Sequence, residues 1–224
     1  MLVKDYMLRH PVTIEPTKRA VEARRIMTEQ GIDFLPVVGD GRQLQGLITP
    51  SCLEISPERL ASLDVWEITR YLSNLTVARV MVKREALHYT HPETTLEDAA
   101  SLMIRHKIGG LPVVEGKDLV VVGMITNADL LTELRNILGA VEPGWRLTIR
   151  VPGNHGELVQ LTREISERGW SIMAMGNVRA VRAPEHWDIV LKIWGCTREE
   201  LLAVVEKNPT QELLDLRETT YVTR

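Results

Sequence analysis

Apolar positions along this chain follow two alternating rhythms, and the alternation is itself repeated. Ala20, Ala23, Ile26 and Met27 recur at helical spacing, Phe34 to Val38 forms a short apolar run, and Leu44 to Thr49 returns after a polar turn at Asp40-Gly41. The succession then recurs. Leu96, Ala99, Ala100, Met103 and Ile104 define a helical face, Leu111 to Val114 a strand, Glu115-Gly116-Lys117-Asp118 a turn, and Leu119 to Thr126 a returning strand. Thr95 with Asp98 spells a capping box at the start of the second helix. From Asn127 to Leu138 the spacing is helical again, with Asp129 in the first turn.

The two copies correspond residue by residue. Val3-Lys4-Asp5-Tyr6-Met7 aligns with Val77-Ala78-Arg79-Val80-Met81, and Pro16, Met27, Pro36 and Thr49 align with Pro92, Met103, Pro112 and Thr126. Ile32-Asp33-Phe34-Leu35-Pro36-Val37-Val38 has its counterpart in Ile108-Gly109-Gly110-Leu111-Pro112-Val113-Val114. The copies differ at one telling place: Gly123 to Thr126 continues to Asp129, whereas Gly46 to Thr49 continues to Cys52. Each copy reads as a β-α-β-β-α unit of roughly the 50 to 60 residues that two packed layers need. The stretch Pro50 to Thr76 carries Leu60, Leu63, Ile68 and Leu72 and predicts a helical connector. Tyr6, Met7, Val80 and Met81 are expected to pack in the core or between copies.

Beyond Gly139 and Pro143-Gly144 the pattern changes. Leu147 to Val151 alternates as a strand, Pro152 to Gly156 is a turn, and Glu157 to Arg168 places Leu158, Leu161 and Ile165 on one helical face before Gly169. Strands over Ser171 to Val181 and Trp187 to Trp194, a helix from Arg198 to Lys207 and a last strand after Pro209 complete a β-α-β-β-α-β order, that of a ferredoxin-like fold. The fold class expected is therefore mixed α/β (α+β). The expected boundaries are 1-56 and 77-138 for the repeated units, 57-76 for the connector and 144-218 for the third domain.

Composition narrows the functions without choosing one. At 224 residues, 44% hydrophobic and 25% charged, the chain has room for a substantial core, and a net charge of −3 argues against a polyanion as its main partner. The cysteines, Cys52 and Cys196, form no CxxC pair, so a disulfide framework or zinc knuckle is not implied and a reducing cytoplasm is the simplest home. The opening residues lack a signal-peptide pattern, and no run approaches the roughly eighteen apolar residues of a membrane span. His88 and His91 are three apart but have no acidic or Cys partner at ligand spacing, which predicts loop histidines rather than a metal pair.

The doubled motif resembles the cystathionine-β-synthase (CBS) domain, and the tandem resembles the CBS pair called a Bateman module. The resemblance covers about Met1 to Leu138, through Met7 and Met81, both Leu-Pro-Val-Val strands, and the Gly123 to Asp129 ending. It implies a regulatory module that needs no cofactor and binds an adenosine-containing ligand: AMP, ADP, ATP or an S-adenosylmethionine type of compound. The turn at Gly156 and the helix ending before Gly169-Trp170-Ser171-Ile172 resemble the ACT domain, a small-molecule regulatory module. That resemblance nominates Asn154, His155 and Gly156 as an effector turn for an amino acid at a dimer interface; a structural ferredoxin-like dimerisation domain is an equal reading. The whole arrangement resembles the acetoin-utilisation B-type proteins.

An adenine nucleotide requires apolar walls for its base, an acceptor for its ribose diol and donors for phosphate. Asp129 suits the second need, because a carboxylate accepts from two hydroxyls at once, and Thr126 stands at a strand-to-helix junction where free amides can meet an anion. The family resemblance implies that Thr126 and Asp129 work with Val12, Thr13, Ile32 and Asp33 of the other copy. Asp33 would repel a phosphate unless His10 or Lys4 intervenes, which favours adenosine-like groups. The reciprocal site would combine Thr49 and Cys52 with Leu87, His88, Ile108 and Gly109, and a thiol is a weak acceptor in the place of a carboxylate, so one competent and one degenerate site are expected. Thr126-x-x-Asp129 also spells a simple helix cap, and Gly109-Gly110 either admits a base closely or satisfies a turn.

The leading expectation is a non-catalytic ligand sensor, a homodimer through its CBS or ACT-like domains acting on an unknown regulated protein. An enzyme is disfavoured because no nucleophile elbow, phosphate loop, metal set or Ser-His-Asp spacing is present. A nucleic-acid-associated regulator would use Arg135, Arg146, Arg150, Arg179 and Arg182 as its basic patch, and an accessory protein of acetoin metabolism without a ligand in the ACT-like domain is a further alternative.

Overall fold

The computed structural model describes residues 1–54, 74–153 and 156–219, which divide into two compact units, Met1–Leu130 and Leu131–Arg224. Most of the predicted connector helix lies outside the described residues; its first residues, Pro50–Leu53, form a 3-10 turn.

In the first unit the copy at the N-terminus contributes α1 (Val3–Tyr6), β1 (Leu8–Arg9), α2 (Ala20–Gln30), β2 (Leu35–Val38) and β3 (Leu44–Ile48). The second contributes α3 (Val77–Val80), β4 (Val82–Lys83), α4 (Leu96–His106), β5 (Gly110–Glu115), β6 (Val120–Thr126) and the first turn of α5 (Asn127–Ile137), whose residues from Leu131 on belong to the second unit. The long helices form where expected. Ala20, Ala23 and Met27 of α2, and Leu96, Ala99 and Met103 of α4, are the buried faces, and the Thr95 hydroxyl accepts from the Asp98 amide at 3.1 Å to cap α4. Both end in a left-handed residue, Gly31 or Lys107, with the Ile32 and Ile108 amides reaching back to the Met27 and Met103 carbonyls.

The copies do not fold as separate units, because each donates its opening segment to the other. The sheets run β1-β6-β5 and β2-β3-β4, so β1 of the first copy pairs with β6 of the second, and β4 of the second pairs with β3 of the first. The helical turns follow: Val3 is buried with Leu96, Ala99, Met103 and Leu111, while Val77 is buried with Ala20, Ala23, Met27 and Leu35. Val38, Leu44, Val114 and Val121 form a further cluster to which both copies contribute. Pro36 and Pro112 sit on the edge strands β2 and β5, where a missing N–H breaks no ladder, and their carbonyls accept from the Ile14 and Thr90 amides.

The crossing explains two glycines that the repeat contains without a turn to justify them. A Cβ on Gly46 would stand 2.6 Å from both Met81 Sδ and the Val82 carbonyl oxygen, and a Cβ on Gly123 would stand 2.4 Å from Met7 Sδ and 3.2 Å from the Leu8 carbonyl oxygen. Met7 and Met81 therefore pack between copies, as expected.

The second unit holds β7 (Gly144–Pro152), α6 (Glu157–Glu167), β8 (Ser171–Arg179), β9 (His186–Trp194), α7 (Arg198–Glu206) and β10 (Glu212–Thr219). Its antiparallel sheet has the order β10-β7-β9-β8, the ferredoxin-like topology. Leu147, Ile149 and Val151 alternate into a core with Ile189, Leu191, Ile193, Leu161, Ile165, Leu201, Val204 and Val205. On the intervening positions Arg146 pairs with Asp215 at 2.9 Å and Arg150 with Asp188 at 2.8 Å.

The Gly46 and Gly123 contacts differ in what can give way. Gly46→Ala meets a backbone oxygen and should cost about 2–3 kcal/mol, more than Gly123→Ala, whose nearest obstacle is a flexible methionine end. Urea denaturation of both variants checks this, and the reverse order would contradict the crossing geometry.

Candidate ligand cleft

The exchange of opening segments builds a cleft of about 790 Å³ within the first unit. One wall follows β1 and comprises Leu8, His10, Pro11 and Val12; a second is the exit of α2 from Gln30 to Phe34; the third is Gly109, Met124 and the β6–α5 junction from Thr126 to Asp129. Of the residues nominated from sequence, Val12, Ile32, Asp33, Thr126 and Asp129 meet here, and Thr13 is not among the lining residues. Leu8 and Val12 leave 57% and 42% of their surface exposed, which gives the cleft apolar area for a flat base to cover.

Asp129 is held by a reciprocal cap. Its Oδ2 accepts from the Thr126 amide at 2.8 Å and the Thr126 hydroxyl at 2.7 Å, while the Asp129 amide donates to Thr126 Oγ1 at 3.4 Å. Both side-chain bonds converge on Oδ2, which leaves Oδ1 to receive a donor from outside. The capping role and an acceptor role are thus compatible in one carboxylate. The same bonds change the expectation that free amides of α5 would meet an anion: the Thr126 amide is taken by Asp129, and the Asn127 amide donates to the Gly109 carbonyl at 2.9 Å.

Several lining residues carry no sequence motif. Phe34, the chain's single phenylalanine, accounts for the Gly109-Gly110 pair: neither glycine has a left-handed φ, but a Cβ on either would come within 3.0 Å of the Phe34 ring. The glycines make room for the ring rather than a turn. Backbone geometry also shapes the first wall, with His10 at φ 50° and its amide donating to the Val122 carbonyl. Arg42, itself at φ 62°, donates to the carbonyls of Pro11 and Val121 at 3.3 Å and ties this wall to β6. Lys4 does not line the cleft; its ammonium pairs with Glu93 at 3.0 Å.

Residues 3–53 and 77–136 each match the model of the CBS domain. A protein of Vibrio cholerae named AcuB for acetoin utilization is 32% identical, with 62% of this chain and 93% of that one aligned at a TM-score of 0.50. The chain belongs to the CBS-domain family. The CBS domain pair of protein MJ0100, solved in complex with 5′-methylthioadenosine and S-adenosyl-L-methionine, is 25% identical and aligns over 61% of this chain and 97% of its own at a TM-score of 0.50. An inosine-5′-monophosphate dehydrogenase of Korarchaeum cryptofilum is 33% identical over 128 residues, 57% of this chain and 23% of the enzyme. The chain spans less than a quarter of the length of the first curated relatives it matches.

In the other CBS copy Thr49 and Cys52 reproduce the cap in weaker form, with Oγ1 and Sγ 3.3 Å apart. Cys52 packs against the core of its copy. Of the residues expected beside it, Leu87 joins the cluster of Val38, Leu44, Val114 and Val121, His88 stacks on His106, Ile108 packs on the second core, and Gly109 lines the Asp129 cleft. The Gly109 carbonyl also accepts from the Asn127 amide at the β6–α5 junction.

The ACT-like turn is described only at Gly156, at φ 97°; Asn154 and His155 lie outside the described residues. Gly156 borders a cavity of about 340 Å³ with Gly153, Glu157, Asn177 and Trp187. Among the described residues no three His, Cys, Asp or Glu side chains gather as metal ligands, and no helix is long and apolar enough to cross a membrane.

The His88 and His106 rings stack with centroids 3.6 Å apart. Lost hydration first, then His88 and Arg105, hold His106 below the usual histidine range near 6.5. A depressed histidine opposes protonation in the folded state, so the stability it supports is intact above the unfolded value and declines as pH falls through it. The melting temperature should fall between about pH 7 and pH 5, and His106→Gln should flatten that fall; an unchanged slope would show that His106 does not contribute to it.

Proposed function

We propose that this chain is a regulatory ligand sensor without catalysis of its own, in which the CBS pair binds an adenosine-containing ligand in the Asp129 cleft. The observation that carries the reading is the meeting of Val12, Ile32, Asp33, Thr126 and Asp129 around one cavity large enough for a nucleoside. Exposed Leu8 and Val12 with Phe34 offer apolar surface to a base, and the open Oδ1 of Asp129 offers an acceptor to the ribose diol. The binding of 5′-methylthioadenosine and S-adenosyl-L-methionine by the related MJ0100 pair supports the same ligand class. The organisation is two CBS units at 1-56 and 77-138, a connector at 57-76 and an ACT-like domain at 144-218.

The ACT-like domain, in this reading, supports a homodimer or takes an amino acid beside Gly156, where Glu157 and Asn177 line the cavity. A signal passes to a regulated protein only insofar as the ligand binds one arrangement of the chain more tightly than another. Of the arginines that a nucleic-acid role would use, Arg146 and Arg150 are paired with carboxylates and Arg179 lies over the Trp187 ring at 5.2 Å, which favours the sensor over that alternative.

Calorimetric titration with adenosine, AMP, ATP and S-adenosylmethionine tests the proposal. At least one compound should bind at one site per chain, and Asp129→Ala should weaken it by about 1–3 kcal/mol, the cost of leaving buried hydroxyl donors unpaired. Binding that is indifferent to Asp129→Ala would remove the assignment. Cys52→Asp should restore an acceptor in the first copy and raise the stoichiometry toward two; a stoichiometry of two in the unmodified chain would show that Cys52 does not disable its site.

A further inference from the structure

Taking the adenosyl-binding reading as its basis, we infer that the cleft selects by charge at the ligand's 5′ end, accepting a sulfonium or thioether and disfavouring phosphate, with Asp33 as the residue that sets the preference. Among the described lining residues the charged or titratable side chains are Asp33, Asp129 and His10, and none is Lys or Arg. Two carboxylates thus face one imidazole. The basic side chains beside these walls are engaged elsewhere: Lys4 with Glu93, Arg9 with the Lys4 carbonyl, Arg42 with the Pro11 and Val121 carbonyls, and Arg24, which borders a neighbouring cavity with Asp33, with the Leu53 carbonyl.

The helix termini point the same way. The wall from Gln30 to Asp33 is the C-terminal end of α2, which carries the negative pole of its dipole. The opposite wall is the N-terminus of α5, ordinarily an anion site, but three of the four amides from Thr126 to Asp129 are already engaged: Thr126 by Asp129 Oδ2, Asn127 by the Gly109 carbonyl, and Asp129 by Thr126 Oγ1. A 5′ phosphate would enter a cleft with two carboxylates and no lining lysine or arginine, its donors limited to neutral amides such as those of Gln30, Asn127 and Ala128. A sulfonium would enter with its charge complemented, and a thioether would be indifferent to charge.

The work is divided between the two acids. Asp129 is pinned by its cap and serves the ribose, whereas Asp33 is exposed, two residues past the left-handed Gly31, and reaches the cleft from the other copy. Its counterpart in the second copy is Gly109, so only one of the two repeated positions carries a charge.

The test is calorimetry on the full chain at low ionic strength with S-adenosylmethionine, 5′-methylthioadenosine and AMP, in the unmodified protein and in Asp33→Asn. The expected result is tighter binding of S-adenosylmethionine than of AMP, a roughly tenfold fall in that ratio in Asp33→Asn, and a change of less than about threefold for 5′-methylthioadenosine. Matching thermal melts confirm that the exposed substitution leaves the fold intact. An affinity ratio unchanged by Asp33→Asn, or AMP preferred by the unmodified chain, overturns the charge selection while leaving an Asp129-dependent adenosyl site standing. If no adenosyl compound binds, or binding ignores Asp129→Ala, the underlying reading falls and the inference with it.

Discussion

The crossing of the two opening segments is the constraint on which the rest of the first unit depends. Each segment has a helical turn that plugs the other copy's core, through Val3 or Val77, and a two-residue strand that completes the other copy's sheet. The strands approach closely at Gly46 and Gly123, with Met81 and Met7 occupying the space that a side chain would need. A CBS copy cut from its partner would lose a core residue and an edge strand together. The pair is therefore the folding unit, and the repeat in sequence overstates the independence of its halves.

The same crossing creates the cleft. The loop after β1 belongs to the first copy by sequence but lies beside β6 of the second, so His10, Pro11 and Val12 face Thr126 and Asp129 without a long connection between them. The third wall, the exit from α2, is fixed by Gly31 and the return of the Ile32 amide to Met27. Ligand chemistry is thus assembled from three short segments whose positions are set by strand pairing rather than by a single motif.

Much of this was legible in the residues. Helical faces, edge prolines, the Asp129-to-Cys52 difference and the β-α-β-β-α-β order are periodicity and spelling, which survive without coordinates. The exchange was not legible, because a repeat fixes what each copy looks like and leaves open which copy receives an opening strand; close approaches at Gly46 and Gly123 carry that information. Phe34 was equally silent: one aromatic at the start of an apolar run reads as strand, and only its contact with Gly109 and Gly110 shows why two glycines stand together. That Gly109 lines the Asp129 cleft was silent for the same reason, since its backbone bond to Asn127 has no side-chain signal.

The Thr126 to Asp129 cap shows that a structural role and a binding role need not compete. Fixing Oδ2 costs the carboxylate its freedom and leaves Oδ1 pre-positioned, which reduces what a ligand must spend in ordering the site. Cys52 offers the first copy a similar turn with a poorer acceptor. The central claim, that the pair is asymmetric with its ligand at Asp129, is tested most directly by mapping amide chemical shifts during titration with 5′-methylthioadenosine. The account predicts perturbations at Ile32, Gly109, Asn127 and Asp129 with Thr49, Ser51 and Cys52 unmoved; shifts centred on Thr49 to Leu53 would contradict it.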